Sequence, residues 1–490
     1  MIMTLHLAIL FLPILAILFL AIFGGKSFAG IINSIFSAAT CTAAICLGIN
    51  FANHGPMQLL QGQLYLDALN ICYLVLTTFI LTTTAVFSHR YMWHNVIDKR
   101  ITPKLYRLYN MLYQTFSFAM ILVLMANNIG LIWVAMEGAT LATALLVGLY
   151  RTPESIEAAW KYFILCIVGI ALALFGTIFV YFAAQGIATH NIQNALLWTF
   201  LRDNVHLLNP QILTIAFVFL FVGYGTKIGL VPFHYWLPDA HSESPAPISA
   251  LLSGLLLNLG LYALLRFKMI VDPAIHNGLT NYLMMTFGLL SFAVASFLMY
   301  RQKNIKRLFS YSSIEHLGLI TFAFGLGQEM AIFAALLYSF MHSLIKSAIF
   351  MTVGNVITLC KTQDLGKIRG LLQLKPIVGW SLLISTLAIC GMPPFGIFSG
   401  ELLVLINTAQ QHLWLAIIIV IILLVAIAAL LHNIHAVVYG KPSNNLTKLN
   451  IKISTAPIIL HLAIALWLGV YLPSWLNNIL HQATTLIINV

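Results

Sequence analysis

Apolar runs of roughly 18–25 residues follow one another along this chain, and each is long enough to cross a hydrocarbon core about 30 Å thick. Of the 490 residues, 61% are hydrophobic and only 8% are charged. A water-soluble domain carries about 25% charged residues, because its surface must be solvated. Most of this chain's surface must therefore face lipid or protein, and no polar stretch is long enough to fold as a separate soluble domain. The expected fold is all-α, a single polytopic membrane domain over 1–490 with about fourteen transmembrane helices. The opening run, MIMTLHLAILFLPILAILFLAIF, has no basic residue ahead of it and no small-residue cleavage site. It reads as a first membrane helix rather than a removed signal peptide.

The formal charge of +11 would suit nucleic acid, but basic residues also gather in short loops at membrane helix ends. Of the 24 Lys and Arg, only Arg202, Arg266 and Lys268 fall on the side of the N-terminus, and Lys227 and Lys346 fall within spans. The rest, among them Arg100, Lys104, Arg301, Lys306, Arg369, Lys448 and Lys452, gather on the opposite side. That bias makes the opposite side cytoplasmic. With an even number of helices, both termini then lie outside an inner (plasma) membrane, and no nucleic-acid partner is expected. The six cysteines form no C-x-x-C and lie mostly in apolar runs, which argues against a metal site, an iron–sulfur cluster or a disulfide framework. Gly25-Lys26-Ser27 lacks the first glycine of a phosphate loop, Leu20 standing in its place. Asn445-Leu446-Thr447 is a chance sequon on the cytoplasmic side, and 185–209 reads as an interfacial loop helix.

A charged side chain at the bilayer centre costs roughly 2.5–3.5 kcal/mol, so such residues usually face protein or water and act there. Glu137 lies in LIWVAMEGATLATALLVG, Lys227 in LFVGYGTKIGLVPFHYWLP, and His316 after Glu315 in YSSIEHLGLITFAFG. His342 and Lys346 lie four apart in LLYSFMHSLIKSAIFM, hence on one helix face, and Glu401 lies in CGMPPFGIFSGELLVL. A structural ion pair or a satisfied histidine explains any one of them. The set of six points to proton movement, which needs titratable groups within hydrogen-bond or single-water reach. Burial and a nearby opposite charge act against each other on proton affinity, so a Glu–Lys pair whose separation changes is a switch.

Two spans are interrupted in the same manner. Gly223, Gly225 and Gly229 precede Val231-Pro232, and Gly391, Pro393, Pro394, Gly396 and Gly400 precede Glu401. Proline removes a backbone donor, and irregular backbone at membrane depth is tolerated only where it lines a cavity or is buried in protein. One broken span in each half points to two inverted-topology repeats, about 110–268 and about 278–438, with the ion path at the breaks.

The stretch GTKIGLVPFHYWLPDAHSESPAPISALLSG, with MEGATLATALL, NIKRLFSYSSIEHLG, MHSLIKSAIF and GMPPFGIFSGELL in the same order along the family's motifs, resembles the antiporter-like, proton-pumping membrane subunits of respiratory complex I and their relatives. The wording is most similar to the hydrogenase-4 component F branch, and the resemblance covers nearly the whole chain. It implies that Glu137 tunes Lys227, that His316, His342 and Lys346 continue a hydrated line, and that Glu401 is the exit toward the outside. His234, Asp239, His241 and Glu243 match a polar stretch where water reaches Lys227 from the cytoplasm. Asn258 stands where relatives often carry Lys or His, so water must bridge there or the line is broken. The resemblance also implies partners, the other membrane and peripheral subunits of a larger complex, and an ion, the proton with Na+ as alternative. No cofactor or metal is expected in the chain itself, which would be a non-catalytic proton-pumping subunit of an oxidoreductase complex. Other readings are a cation/proton antiporter subunit, the membrane partner of an inorganic carbon uptake system, and a scaffold with a dead path.

Overall fold

The computed structural model describes residues 2–187, 192–442 and 453–488, the side chains of 2–6 and 192–193 excepted. Lys448, Lys452 and the Asn445 sequon lie outside the described residues. The first half holds α1 (Ile2–Phe23), α2 (Ala29–His54), α3 (Ala68–Ile97), α4 (Pro103–Met125), α5 (Ile129–Val147), α6 (Pro153–Ala184) and the short α7 (Trp198–Asp203). It closes with α8 (Pro210–Ile228), α9 (Trp236–Glu243), α10 (Ala246–Leu251) and α11 (Leu257–Ile275). The second half holds α12 (Leu279–Met299), α13 (Ile305–Leu326), α14 (Glu329–Cys360), α15 (Leu371–Leu374), α16 (Pro376–Ile389) and α17 (Gly396–Gln411). It ends with α18 (Leu413–Tyr439), α19 (Ala456–Val470) and α20 (Ser474–Ile488).

Many of these starts are written locally. Asp67, Thr102, Asn128, Thr152, Asn209 and Asn304 each accept a first-turn N–H through the side chain, which satisfies donors a helix end leaves free. Pro103, Pro153 and Pro210 take the first helical position, where a missing N–H does no harm.

Among the described residues, ten helices are long and apolar enough to cross a membrane, or eleven if α19 and α20, bent by 78°, form one span. That is fewer than the expected fourteen. α13 fails on apolarity because it carries Lys306, Arg307, Glu315 and His316, yet nearly all of it is buried; a helix wrapped in protein needs no lipid-facing stripe. α16 and α17 are the two halves of the interrupted run over 376–406, each too short alone. The continuous span Ala246–Ile275 is 100% buried along its apolar window and α14 is 94% buried, whereas α2, α6, α12 and α18 bury 33% to 39%. The bundle thus has an inner layer built on α11 and α14 and an outer layer facing lipid.

Successive spans alternate direction, so the loops sort onto two faces. On one face a hairpin that the sequence pattern did not announce, β1 (Met57–Leu59) with β2 (Leu64–Leu66), bridges to Ala126, and Asn128 bridges to Leu197. Here 192–209 gives short turns and α7 rather than one continuous interfacial helix. On the other face Lys361 pairs with Asp98 at 2.7 Å and Asn304 bridges to Asp364.

Arg266 and Lys268, expected at the very end of a span, lie well inside α11, which runs on to Ile275. Arg266 is 3% exposed. Its guanidinium donates to both Asp67 oxygens at 2.6 and 2.8 Å and to the Tyr262 hydroxyl at 2.9 Å, and lies 4.6 Å from the Trp198 ring centroid. Asp67 also caps α3, so one ion pair ties α3, α7 and α11 together. Elsewhere α12 and α13 meet backbone to backbone: a Cβ on Gly318 would lie 2.6 Å from the Phe292 nitrogen, the close approach that small residues allow between membrane helices.

Replacing Asp67 by Ala leaves the Arg266 charge buried alone, and removing one partner of such a pair costs about 3–5 kcal/mol. Thermal unfolding of the detergent-purified protein should show a lower melting temperature for Asp67→Ala, partly restored in Asp67→Ala/Arg266→Met. An unchanged melting temperature in the single variant would contradict this account.

Candidate functional site

Buried polar side chains gather in three places along the middle of the bundle. The first is the break between α8 and α9. α8 ends at Gly229, whose φ of +82 suits a residue without a Cβ. The opened backbone groups find partners: the Trp236 Nε1–H donates to the Thr226 carbonyl at 2.8 Å, the Val231 N–H to Ser291 Oγ at 2.9 Å, and the Leu230 N–H to the Gly225 carbonyl at 2.9 Å. Lys227 sits in the last turn of α8, fully buried, where the carbonyl end of a helix favours a cation. Its Nζ donates to Thr140 Oγ1 of α5 and lies 5.5 Å from the Tyr162 ring centroid. Glu137, one turn before Thr140, is half-buried and makes no ion pair with Lys227 within 4.0 Å. Its Oε2 has no hydrogen-bond partner among the described residues.

The second place is α11. A Cβ on Gly260 would lie 3.0 Å from Lys227 Cβ, so this face of α11 packs on α8. Asn258 lies two residues earlier, about 200° away around a helix of 3.6 residues per turn, and faces α14 instead. Its amide donates to Ser343 Oγ at 2.6 Å and its carbonyl accepts from Ser339 Oγ at 2.9 Å. Tyr73 shares a 2.9 Å hydrogen bond with Ser339, and Ser253 one of 2.7 Å with Ser313. Just before Asn258, Leu252–Leu256 is wound as a π-turn, an irregularity frequent at functional sites.

The third place is the break between α16 and α17. Tyr338 hydroxyl meets His316 Nδ1 at 2.5 Å and donates to Glu401 Oε1 at 2.9 Å. His316 Nε2 lies 3.3 Å from Glu315 Oε2, and the His342 ring centroid lies 5.7 Å from that of His316. Lys346 Nζ donates to the Phe309 carbonyl at 3.0 Å. Neither ring nitrogen of His342 has a partner among the described residues. Gly391, with φ +65, turns its bare side to the Glu401 carboxylate, and Gly469 of α19 abuts the Pro394 carbonyl.

The structure therefore brings Glu315, His316, Tyr338, His342 and Glu401 together and holds Glu137 and Lys227 near each other, with α11 and Asn258 between the two groups. The stretch after the first break divides. Asp239 pairs with Arg307 and, at 3.3 Å, with Lys161 near the surface. Glu243 accepts from Ser242 Oγ at 3.0 Å. His234 is buried and stacks on Tyr235 at 4.7 Å, and His241 is buried and stacks on Phe350 at 4.9 Å. Sequence reasoning missed Tyr338 and Thr140, which look like ordinary packing residues, and counted Lys306 only with the basic residues of loops and helix ends, although it is 2% exposed. A Lys two residues after a helix cap, on a helix with buried neighbours, was the signal available. Among the described residues no group of three His, Cys, Asp or Glu is placed to hold a metal ion. Buried polar atoms without protein partners, such as those of His342 and Glu137, are the kind that water satisfies.

Residues 126–431 match the profile of a family described as NADH:quinone oxidoreductase/Mrp antiporter, transmembrane. The chain is 42% identical over 467 residues to the hydrogenase-4 component F homolog of Methylacidiphilum infernorum (isolate V4), covering 95% of this chain and 96% of that one. It is 26% identical to NADH-quinone oxidoreductase subunit M of Rhodobacter capsulatus, covering 96% and 94%. Among solved structures, a chain of the membrane-bound sulfane sulfur reductase, an archaeal respiratory membrane complex, superposes with a TM-score of 0.86 at 23% identity, covering 99% and 98%. That last likeness shows a shared fold.

Tyr338→Phe removes the hydroxyl that His316 and Glu401 share. Leaving buried groups unsatisfied costs about 1–3 kcal/mol, so the variant should melt at lower temperature in detergent than the parent protein. Equal melting would mean that the hydroxyl holds nothing in place.

Proposed function

The chain belongs to the NADH:quinone oxidoreductase/Mrp antiporter family, and from that premise we propose that it conducts protons between its two broken helices. It is an antiporter-like, multi-pass membrane subunit of the hydrogenase-4 or complex I type. In the proposed path Glu137 and Lys227 act at the first break, His316, His342 and Lys346 continue the line, and Glu401 releases the proton at the second break. The observation that carries the proposal is the placement of one buried ionisable residue beside each break, Lys227 on α8 and Glu401 on α17.

The chemistry of the side chains favours the proton over Na+. Lys has three donors and no acceptor, and neutral imidazole passes a proton between its two nitrogens, whereas a hard cation needs several oxygen ligands. Glu137 stands beyond ion-pair distance of Lys227, which binds Thr140 instead. A carboxylate that approaches or leaves a lysine changes how tightly the lysine holds its proton, so this pair is the proposed switch. Water bridges the step past Asn258, whose amide is held by Ser339 and Ser343 and carries no proton itself. The two breaks belong to inverted repeats of about 110–268 and about 278–438, by the general pattern of such transporters. The face with the basic loops is cytoplasmic by the same bias of Lys and Arg, which places both termini outside an inner membrane. The redox reaction that drives the movement then resides in partner subunits.

Lys227→Ala, Lys346→Ala and Glu401→Gln test the path in membrane vesicles containing the assembled complex, with the amount of complex measured alongside. Each variant should assemble and lose proton movement coupled to the driving reaction. Full proton movement in all three would overturn the proposal.

A further inference from the structure

Lys306 begins α13 on the face that carries the basic loops, and it does not behave as a loop cation. It is 2% exposed, and its Nζ donates to the carbonyls of Ser242 at 3.3 Å and Ser244 at 2.5 Å, at the end of α9. Among the described residues no carboxylate comes within 4.0 Å of this ammonium. Glu243, between the two accepting carbonyls in sequence, is only half-buried. Inward of these lies His241, fully buried, with neither ring nitrogen partnered among the described residues.

The direction in which His241 leads is set by its neighbours. Its ring stacks 4.9 Å from that of Phe350 on α14, and Phe350 is one turn from Lys346, on the same face of the helix. Lys346 donates in turn to the Phe309 carbonyl at 3.0 Å, one turn along α13 from Lys306. Burial, and after it the charges of Lys306 and Lys346, lowers the proton affinity of the His241 imidazole, so the ring would carry a proton only in transit. The polar stretch after the first break was expected to lead water to Lys227; here its inner members, His241 and Ser242–Ser244, meet α13 and α14 of the second half.

We propose that Glu243, Lys306 and His241 form a proton-uptake site of their own, which feeds Lys346 from the basic face alongside the route through Lys227. The inference rests on the reading of the chain as a proton conductor. Each step moves one proton and no electrons. An N–H bond of Lys306 breaks as an N–H bond forms on His241, or an O–H bond on a bridging water. That carrier gives up a proton in turn as an N–H bond forms on neutral Lys346, and neutral Lys306 is reprotonated from water beside Glu243. The plain alternative is that Lys306 only clamps the free carbonyls at the end of α9, as basic side chains do at helix C-termini.

Lys306→Arg separates the two, because Arg keeps the charge and the donors but does not give up its proton in a protein. A clamp survives that change and a relay does not. In vesicles holding the assembled complex, Lys306→Arg and His241→Gln should each assemble at the parent level and lose more than half of the coupled proton movement. If both retain it fully while Lys346→Ala loses it, the uptake site is wrong and the conducting path stands. If Lys346→Ala also retains it fully, both fall together. Should Lys306→Arg reduce assembly, His241→Gln decides alone, since its ring makes no hydrogen bond to a described residue.

Discussion

Inside a bilayer no water takes up a hydrogen bond that the protein leaves unmade, and each unsatisfied backbone group there costs several kcal/mol. This protein opens two helices at that depth regardless, and much of its interior is arranged around the consequence. At the first break the indole of Trp236 and the hydroxyl of Ser291 take backbone groups that α8 no longer serves. At the second, α19 lays Gly469 directly against the Pro394 carbonyl, which is possible only without a side chain. Each break leaves a helix end inside the bundle and sets one ionisable residue beside it, Lys227 in the last turn of α8 and Glu401 in the second turn of α17.

The buried charges fall into two kinds by how they are held. Arg266 and Asp67 are paired through two hydrogen bonds, with Tyr262 and Trp198 completing the site. Breaking such a pair is expensive, and the pair pins α3 to α11. Lys227, Lys306 and Lys346 have no carboxylate within 4.0 Å among the described residues; they rest on a hydroxyl or on backbone carbonyls. A fixed pair resists change of protonation, whereas a lysine held by neutral oxygens is free to exchange its proton when its surroundings move. The difference separates the structural charges from those of the proposed path more sharply than depth in the membrane does.

Some of this was legible in the residues and some was not. Caps and first-position prolines act within three or four residues, so the cause of many helix starts is local. The broken spans were readable because Gly and Pro announce themselves. Asp239, in the polar stretch after the first break, pairs with Arg307 and Lys161 near the surface, while Arg266, placed at a helix end, is among the most buried charges of the described residues. Both differences have one origin: a charge near a helix end has the same local sequence whether a partner waits for it or not. α13, read as a span from its sequence, is more polar than the other long helices and almost wholly enclosed.

The sequence by itself determined that this is a helical membrane body, which spans are interrupted, and which ionisable residues lie within apolar runs. Those properties depend on hydropathy over about 20 residues and on the chemistry of single positions. Tertiary structure alone decided which of those residues meet. Tyr338 joins His316 to Glu401, Thr140 rather than Glu137 receives Lys227, and Asn258 and Gly260, two residues apart, serve opposite sides of α11. Contacts between helices far apart in sequence follow from how whole faces pack, and no local pattern records the partner face.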